Sequence, residues 1–145
     1  MSKNYINIYN NLINYSRNKD LYISLNRQDN FSDRLTFFLI HFAFFLKNYK
    51  NEENKEILQK IYDFNFRQLE LSIREIGYGD QSINKKMKDY LNLFHKVILE
   101  IEDWEKKEVD KKKQFILNYL NINSNSFSFI NFKSTISAPE FLIIL

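Results

Sequence analysis

Few residues in this sequence could ligate a metal or carry catalysis, because it contains two His and no Cys. His41 lies in an apolar, Phe-rich stretch, a setting typical of a hydrogen-bonded core residue rather than a ligand. His95 follows Phe94 without any His-Glu-x-x-His spacing around it. No set of nucleophile, base and orienting group can be assembled. We therefore predict no catalytic residue, no metal site and no cofactor, and we expect a protein that is not an enzyme.

The segment Arg74 to Lys86 (REIGYGDQSINKK) is the second place where chemistry could reside. It lacks Gly-Lys-Ser, Gly-Lys-Thr and a third Gly, which excludes a P-loop and a dinucleotide fingerprint. Gly77 is expected to close a helix in the left-handed conformation, and Gly79 to be a second permissive residue. Two interpretations remain for the charged residues: a charge-linked hairpin in which Asp80 caps the next helix, or a rigid docking edge. The candidate partner-binding residues are Arg74, Glu75, Asp80, Lys85 and Lys86.

The apolar periodicity predicts helices that would hold these residues in place. A first amphipathic helix carries Tyr5, Ile8, Tyr9, Leu12 and Ser16 on one stripe. A second begins near Ser32 and Asp33, which offer capping oxygens, and its apolar residues surround it as expected at the centre of a bundle. Two more flank the GYGD turn, with stripes running from Ile57 through Phe64 or Asn65 to Ile76, and from Ile83 to Trp104. A last helix passes through Phe115, Ile116, Tyr119 and Leu120.

Length and composition agree with an all-α fold. With 145 residues, 44% of them hydrophobic, the chain can enclose one core, and 2 Gly and 1 Pro are too few for the turns of a β-sandwich or barrel. We predict a single-domain helical bundle over residues 1–145, with a helical hairpin around GYGD and an irregular tail over 121–145.

Residues 1–20 lack the apolar core of a secretory signal. The longest apolar run, Leu35 to Leu46, covers about 18 Å as a helix, against about 30 Å of bilayer hydrocarbon, so it is too short to span. The formal net charge of +3 is too balanced to indicate a DNA-binding protein. We expect a cytoplasmic protein that is at most peripheral at the inner membrane.

The segment Leu71 to Met87 (LSIREIGYGDQSINKKM) resembles the signature of the ubiquinol-cytochrome c chaperone family, in which Arg-Glu, Gly-x-Gly-Asp and a Lys-Lys-Met-like helix start follow one another. The resemblance covers about residues 5–104, with Gln68 and Glu70 in place of two aspartates and Lys96 and Val97 in place of Gly-Arg. Further matching positions are Tyr9, Arg17, Tyr22, Asp29, Arg34 and His41.

The resemblance implies an assembly chaperone that binds newly made cytochrome b and assists its entry into the ubiquinol-cytochrome c reductase complex. It implies the ribosome near its exit site as a second partner, and a bacterial form in the cytoplasm or a mitochondrial form in the matrix. The alternative is an RNA- or ribosome-binding helical adaptor without a client-holding role. That alternative rests on Lys3, Lys85, Lys86, Lys88 and Lys111 to Lys113, which nearby acidic residues offset.

Overall fold

The computed structural model describes residues 2–17, 19, 22, 30–120 and 133. In this part of the chain the helices are α1 (Ser2–Ser16), α2 (Phe31–Tyr49), α3 (Lys55–Ile76), α4 (Asp80–Ile101) and α5 (Val109–Leu120), with a 3₁₀ turn at Trp104–Lys106. No strand occurs within these residues, so the predicted all-α bundle is confirmed. Asp29 and, apart from Lys133, the predicted irregular tail lie outside the described residues.

Helix α2 is the centre of the bundle, as its apolar run predicted. Every residue from Leu35 to Phe45 is buried, which means that all faces of three helical turns are covered. The aromatic side chains of α2 also contact α4, where Phe94 stacks on Phe42 with ring centroids 5.1 Å apart. Aromatic pairs of this kind add about 0.5–1.5 kcal/mol beyond the area that they bury.

The start of α2 differs from the prediction. Ser32 and Asp33 were expected to cap the helix, but the helix begins at Phe31 and Asn30 is its cap, with Oδ1 accepting the Asp33 backbone N–H at 2.8 Å. Asp33 lies in the first turn, where its carboxylate accepts from the Asn30 side-chain amide at 3.2 Å. The sequence offers several capping side chains in a row, and the one that precedes the first helical residue takes the role.

Helix α1 packs on α2 through the predicted stripe, in which Ile8, Leu12 and Ser16 are buried. The hydroxyl of Ser16 is satisfied within the helix, where it donates to the carbonyl of Ile13 at 2.9 Å. The packing of α1 on α2 places the rest of α1, including Tyr9, over the surface formed by α2 and α3.

Helices α3 and α4 form the predicted hairpin, although their stripes are shorter than expected. Ile57 and Ile76, at the two ends of the α3 stripe, are exposed, and Asn65 rather than Phe64 is the fully buried residue at its middle. Helix α4 ends at Ile101, so Trp104 lies in the 3₁₀ turn and not on the helix. The Trp104 ring holds the last helix in place, since it lies edge-on to Phe44 at 4.9 Å and to Phe115 at 5.4 Å.

Candidate functional site

The turn between α3 and α4 contains two glycines with different roles. Gly77 has φ of 105°, the left-handed value that L side chains rarely adopt, and its N–H donates to the carbonyl of Arg74 at 3.0 Å. Gly79 has φ of −75° and simply precedes the first residue of α4, so the prediction that it supplies a second permissive residue was wrong. Only Gly77 requires the conformational freedom of glycine.

Arg74 links the two helices of the hairpin. Its Nη1 lies 2.8 Å from Asp80 Oδ1, and its Nη2 lies 3.1 Å from Glu70 Oε1. The hydrogen bond to Asp80, followed by the one to Glu70, raises the pKa of Arg74 above its usual value. Asp80 was expected to cap α4, but Gly79 is the N-cap residue and has no side chain, while Asp80 is the first helical residue and its carboxylate binds the guanidinium.

The surface around this turn is both apolar and cationic. Ile76 and Tyr78 are exposed, with relative accessibilities of 51% and 42%. Lys86 Nζ lies 4.5 Å from the centroid of the Tyr78 ring, within the range of a cation–π contact, and Lys85 is exposed beside it. Exposed apolar patches and aromatic side chains such as Tyr78 are common at protein-binding surfaces.

A cavity of about 480 Å³ lies between α1, α2 and α3, next to the turn, and we call it the α1–α3 groove. Its charged lining residues are Arg17, Arg34 and Glu75. Apolar side chains make up most of the remaining lining: Tyr9, Ile13, Phe31, Leu35, Phe38, Leu69 and Ile76. The groove thus unites four residues that the sequence singled out, Tyr9, Arg17, Arg34 and Glu75, although they are distributed over three helical segments.

Two other residues singled out from the sequence, Tyr22 and His41, make hydrogen bonds to backbone carbonyls. The Tyr22 hydroxyl donates to the carbonyl of Ser16 at 2.7 Å, and its ring lies edge-on to Phe37 at 5.1 Å. His41 is fully buried and its Nδ1 lies 2.7 Å from the carbonyl of Phe37, so Nδ1 carries the proton and donates it. Burial lowers the pKa of His41 to about 4, an effect that the hydrogen bond to Phe37 opposes only in part.

Ile76 is the residue whose role the periodicity did not indicate. Its helical spacing placed it on the buried stripe of α3, whereas the structure exposes it where the turn meets the α1–α3 groove. The sequence did contain a signal for this exposure, since Ile76 directly precedes Gly77. A side chain at the last residue of a helix has no further helical turn beside it to bury it.

Neither a metal-binding cluster nor a membrane-spanning helix is found within the described ranges. No group of three or more His, Asp or Glu side chains there could hold a metal ion. No helix there is long and apolar enough to cross a membrane.

A comparison with known protein families matches the part of the chain that contains α2 and the GYGD turn. The family model described as Ubiquinol-cytochrome C chaperone matches residues 24–112, a stretch that begins before α2, includes the Arg74–Asp80 link and ends in α5. The chain belongs to this family. Its membership confirms the resemblance found in the sequence and supports a chaperone role in the assembly of ubiquinol-cytochrome c reductase.

The family match does not reach every residue that the resemblance pointed to. Arg34, His41 and the turn residues lie within residues 24–112, whereas Tyr9, Arg17 and Tyr22 precede this stretch. The match does not test single residues, so the positions inside and outside this stretch all stay predictions as family positions. No curated protein and no solved structure matches the chain.

Proposed function

We propose that this member of the ubiquinol-cytochrome C chaperone family binds newly made cytochrome b and holds it until it enters the reductase complex. The family match supports the assembly role. The finer assignment of the client rests on the α1–α3 groove, where the apolar lining and the two arginines Arg17 and Arg34 form one surface. A non-enzymatic, client-holding role needs a surface of this kind and no reacting group.

The groove and the turn form one continuous binding face in this proposal. Ile76 lines the groove and is also exposed beside the turn, where Tyr78 and Lys86 follow. Apolar segments of a multi-span client would bury Ile76 and Tyr78. The exposed Arg17 side chain at the groove would bind backbone carbonyls or carboxylates in the loops of the client, since a guanidinium offers five donors.

The direct test is affinity capture of the tagged full-length chain from its native organism during translation, with cytochrome b measured by mass spectrometry. The wild-type chain should retain cytochrome b, and Ile76→Asp should lose most of it. Val109→Asp is the matched control, because Val109 is also an exposed apolar residue, with an accessibility of 56%, but lies at the start of α5. Equal capture of cytochrome b by both variants would contradict the proposed binding face.

A second candidate function is favoured by the exposed Lys85 and Lys88 in the first turns of α4. An RNA- or ribosome-binding adaptor would use these cations on phosphates, and its affinity would fall steeply with salt. Capture repeated at increasing salt discriminates the two: loss of ribosomes with retention of cytochrome b supports the client-holding role. In this proposal the protein works where cytochrome b is made, in the bacterial cytoplasm beside the inner membrane or in the mitochondrial matrix.

A further inference from the structure

A second cavity, of about 590 Å³, lies at the end of the hairpin opposite to the GYGD turn. The last turns of α2, the first turns of α3 and the last turns of α4 form its walls. We call it the lysine cleft, because Lys47, Lys50 and Lys55 all line it. Its volume lies within the range of about 300–1,000 Å³ that is typical of small-molecule pockets.

Apart from Gln59, the uncharged residues that line the lysine cleft are apolar or aromatic. Ala43, Leu46, Leu58, Ile98 and Ile101 line it together with Tyr62. The Tyr62 ring is held by the aromatic core, with its centroid 4.7 Å from that of Phe66, and its hydroxyl lies 3.2 Å from His95 Nε2. The phenol already has a polar partner, so what Tyr62 adds to the cleft is chiefly an apolar ring.

Of the charged residues that line the cleft, three are lysines and one is a glutamate. Lys47 Nζ lies 3.1 Å from Glu105 Oε1, and Lys55 Nζ lies 3.1 Å from Glu52 Oε2, so both have an anionic partner beyond the lining residues. Lys50 is exposed and forms no ion pair among the residues that the structure describes. Glu102 is the acidic member of the described lining.

We propose that the lysine cleft binds a single-chain anionic amphiphile, such as a fatty acid or a lysophospholipid. The alkyl chain would lie against the apolar lining, and the carboxylate or phosphate would pair with Lys50. Each CH₂ group that enters the cleft improves the dissociation constant by about fourfold, until the cleft is filled. Affinity should therefore depend on both chain length and head-group charge, a combination that neither an anion site nor an apolar patch alone would give.

The test uses the purified full-length protein and isothermal titration with laurate below its micelle concentration. We expect one laurate per chain, weaker binding of caprate, and no binding of dodecyltrimethylammonium, which has the same chain and the opposite charge. Dodecyl phosphate and lysophosphatidate distinguish which head group is preferred. Binding only to phosphatidylglycerol vesicles, with no binding of the monomeric amphiphiles, would overturn the proposal in favour of a bilayer surface.

Charge variants test the assigned head-group position. Lys50→Gln should weaken laurate binding by about fivefold, and Glu102→Gln should strengthen it by a similar factor, since each changes one charge near the head group. Lys113→Gln, on the exposed side of α5, is the matched control and should leave binding unchanged. Ala43→Leu should block the cleft, and if that variant does not fold, the opposite shifts of the two charge variants still decide. Equal affinity of Lys50→Gln, Glu102→Gln and wild type would refute the site.

Discussion

Arg74 Nη1 lies 2.8 Å from Asp80 Oδ1, and this contact joins the last turn of α3 to the first turn of α4. Both side chains are exposed to solvent, at 45% and 84%, so screening by water keeps the contribution of the pair to stability small. The pair connects the two helices of the hairpin across the turn.

We expect Asp80→Asn to leave the melting temperature within about 2 °C of wild type, because an exposed ion pair adds little to stability. The amide still accepts a hydrogen bond from Arg74 but lacks the charge. Capture of cytochrome b should fall, because the charge that links the two helices beside the proposed binding face is lost. Full capture together with an unchanged melting temperature would show that the Arg74–Asp80 link is dispensable.

The double variant Lys85→Gln and Lys86→Gln separates docking from stability. Both side chains lie on the surface, and surface substitutions usually change stability by less than about 0.5 kcal/mol. We expect weaker association with the client or the ribosome at an unchanged melting temperature. The matched control is Lys60→Gln with Lys106→Gln, which removes two exposed cations away from the turn. Retention of full association at physiological salt would leave GYGD as an architectural turn.

Gly77→Ala should lower the free energy of unfolding by about 1 kcal/mol. A Cβ at this position meets no heavy atom within 4 Å, so the loss comes from the φ of 105° and not from a clash. Gly79→Ser is the matched control, because φ of −75° suits any residue and Ser can cap α4, which predicts no loss or a small gain. Urea denaturation measures both, and an equal loss in both would argue against the left-handed strain.

Stability should fall by about 1.4 kcal/mol between pH 7.5 and pH 5.5, because His41 has a folded-state pKa of about 4 and an ordinary unfolded pKa of 6.5. The unfolded chain takes up a proton on His41 in this interval and the native chain does not, so acid favours unfolding. Urea midpoints at several pH values measure the slope. His41→Gln should remove it and His95→Gln, at an exposed position, should not. A native chain whose stability is flat over this interval would contradict the lowered pKa.

Asn65→Leu should raise the free energy of unfolding by about 1–2 kcal/mol. Asn65 is 1% exposed, and neither its Oδ1 nor its Nδ2 has a hydrogen-bond partner among the described residues. Leucine has the same branching and the same number of side-chain heavy atoms and removes the uncompensated amide, whereas Asn65→Asp, which adds a buried charge, should be strongly destabilising. A loss of stability in Asn65→Leu would contradict the prediction that the uncompensated amide is costly.

The features that could be predicted from the sequence are those that depend on residues close to one another along the chain. The burial of α2 on all sides followed from its uninterrupted apolar run, and the left-handed Gly77 followed from its place after a helical stripe. The cap of α2 was misplaced because Asn30, Ser32 and Asp33 are all good capping residues, and local pattern does not distinguish them.

The α1–α3 groove could not be predicted in the same way. Arg17 and Glu75 are far apart in the sequence, and only the packing of α1 against α2 and α3 brings them to one cavity. The partner of Asp80 could not be predicted either, because its side chain could bind the free N–H groups of its own helix or Arg74, and it binds Arg74. The geometry of the turn decides between them, and helical periodicity contains no information about it.

The burial of every residue from Leu35 to Phe45 in α2 has a consequence for how this chaperone is itself made. Phe42 leaves the ribosome about 50 residues ahead of Phe94, the ring that stacks on it. At a synthesis rate of about 5–20 residues per second, this interval is about 3–10 s. During that time α2 can be covered by α1 but not by α4, so a nascent chain exposes the same kind of apolar helix that its proposed client does. Its own biogenesis should therefore depend on general holding factors, or on rapid pairing of α1 with α2, whenever translation slows between the codons for α2 and α4.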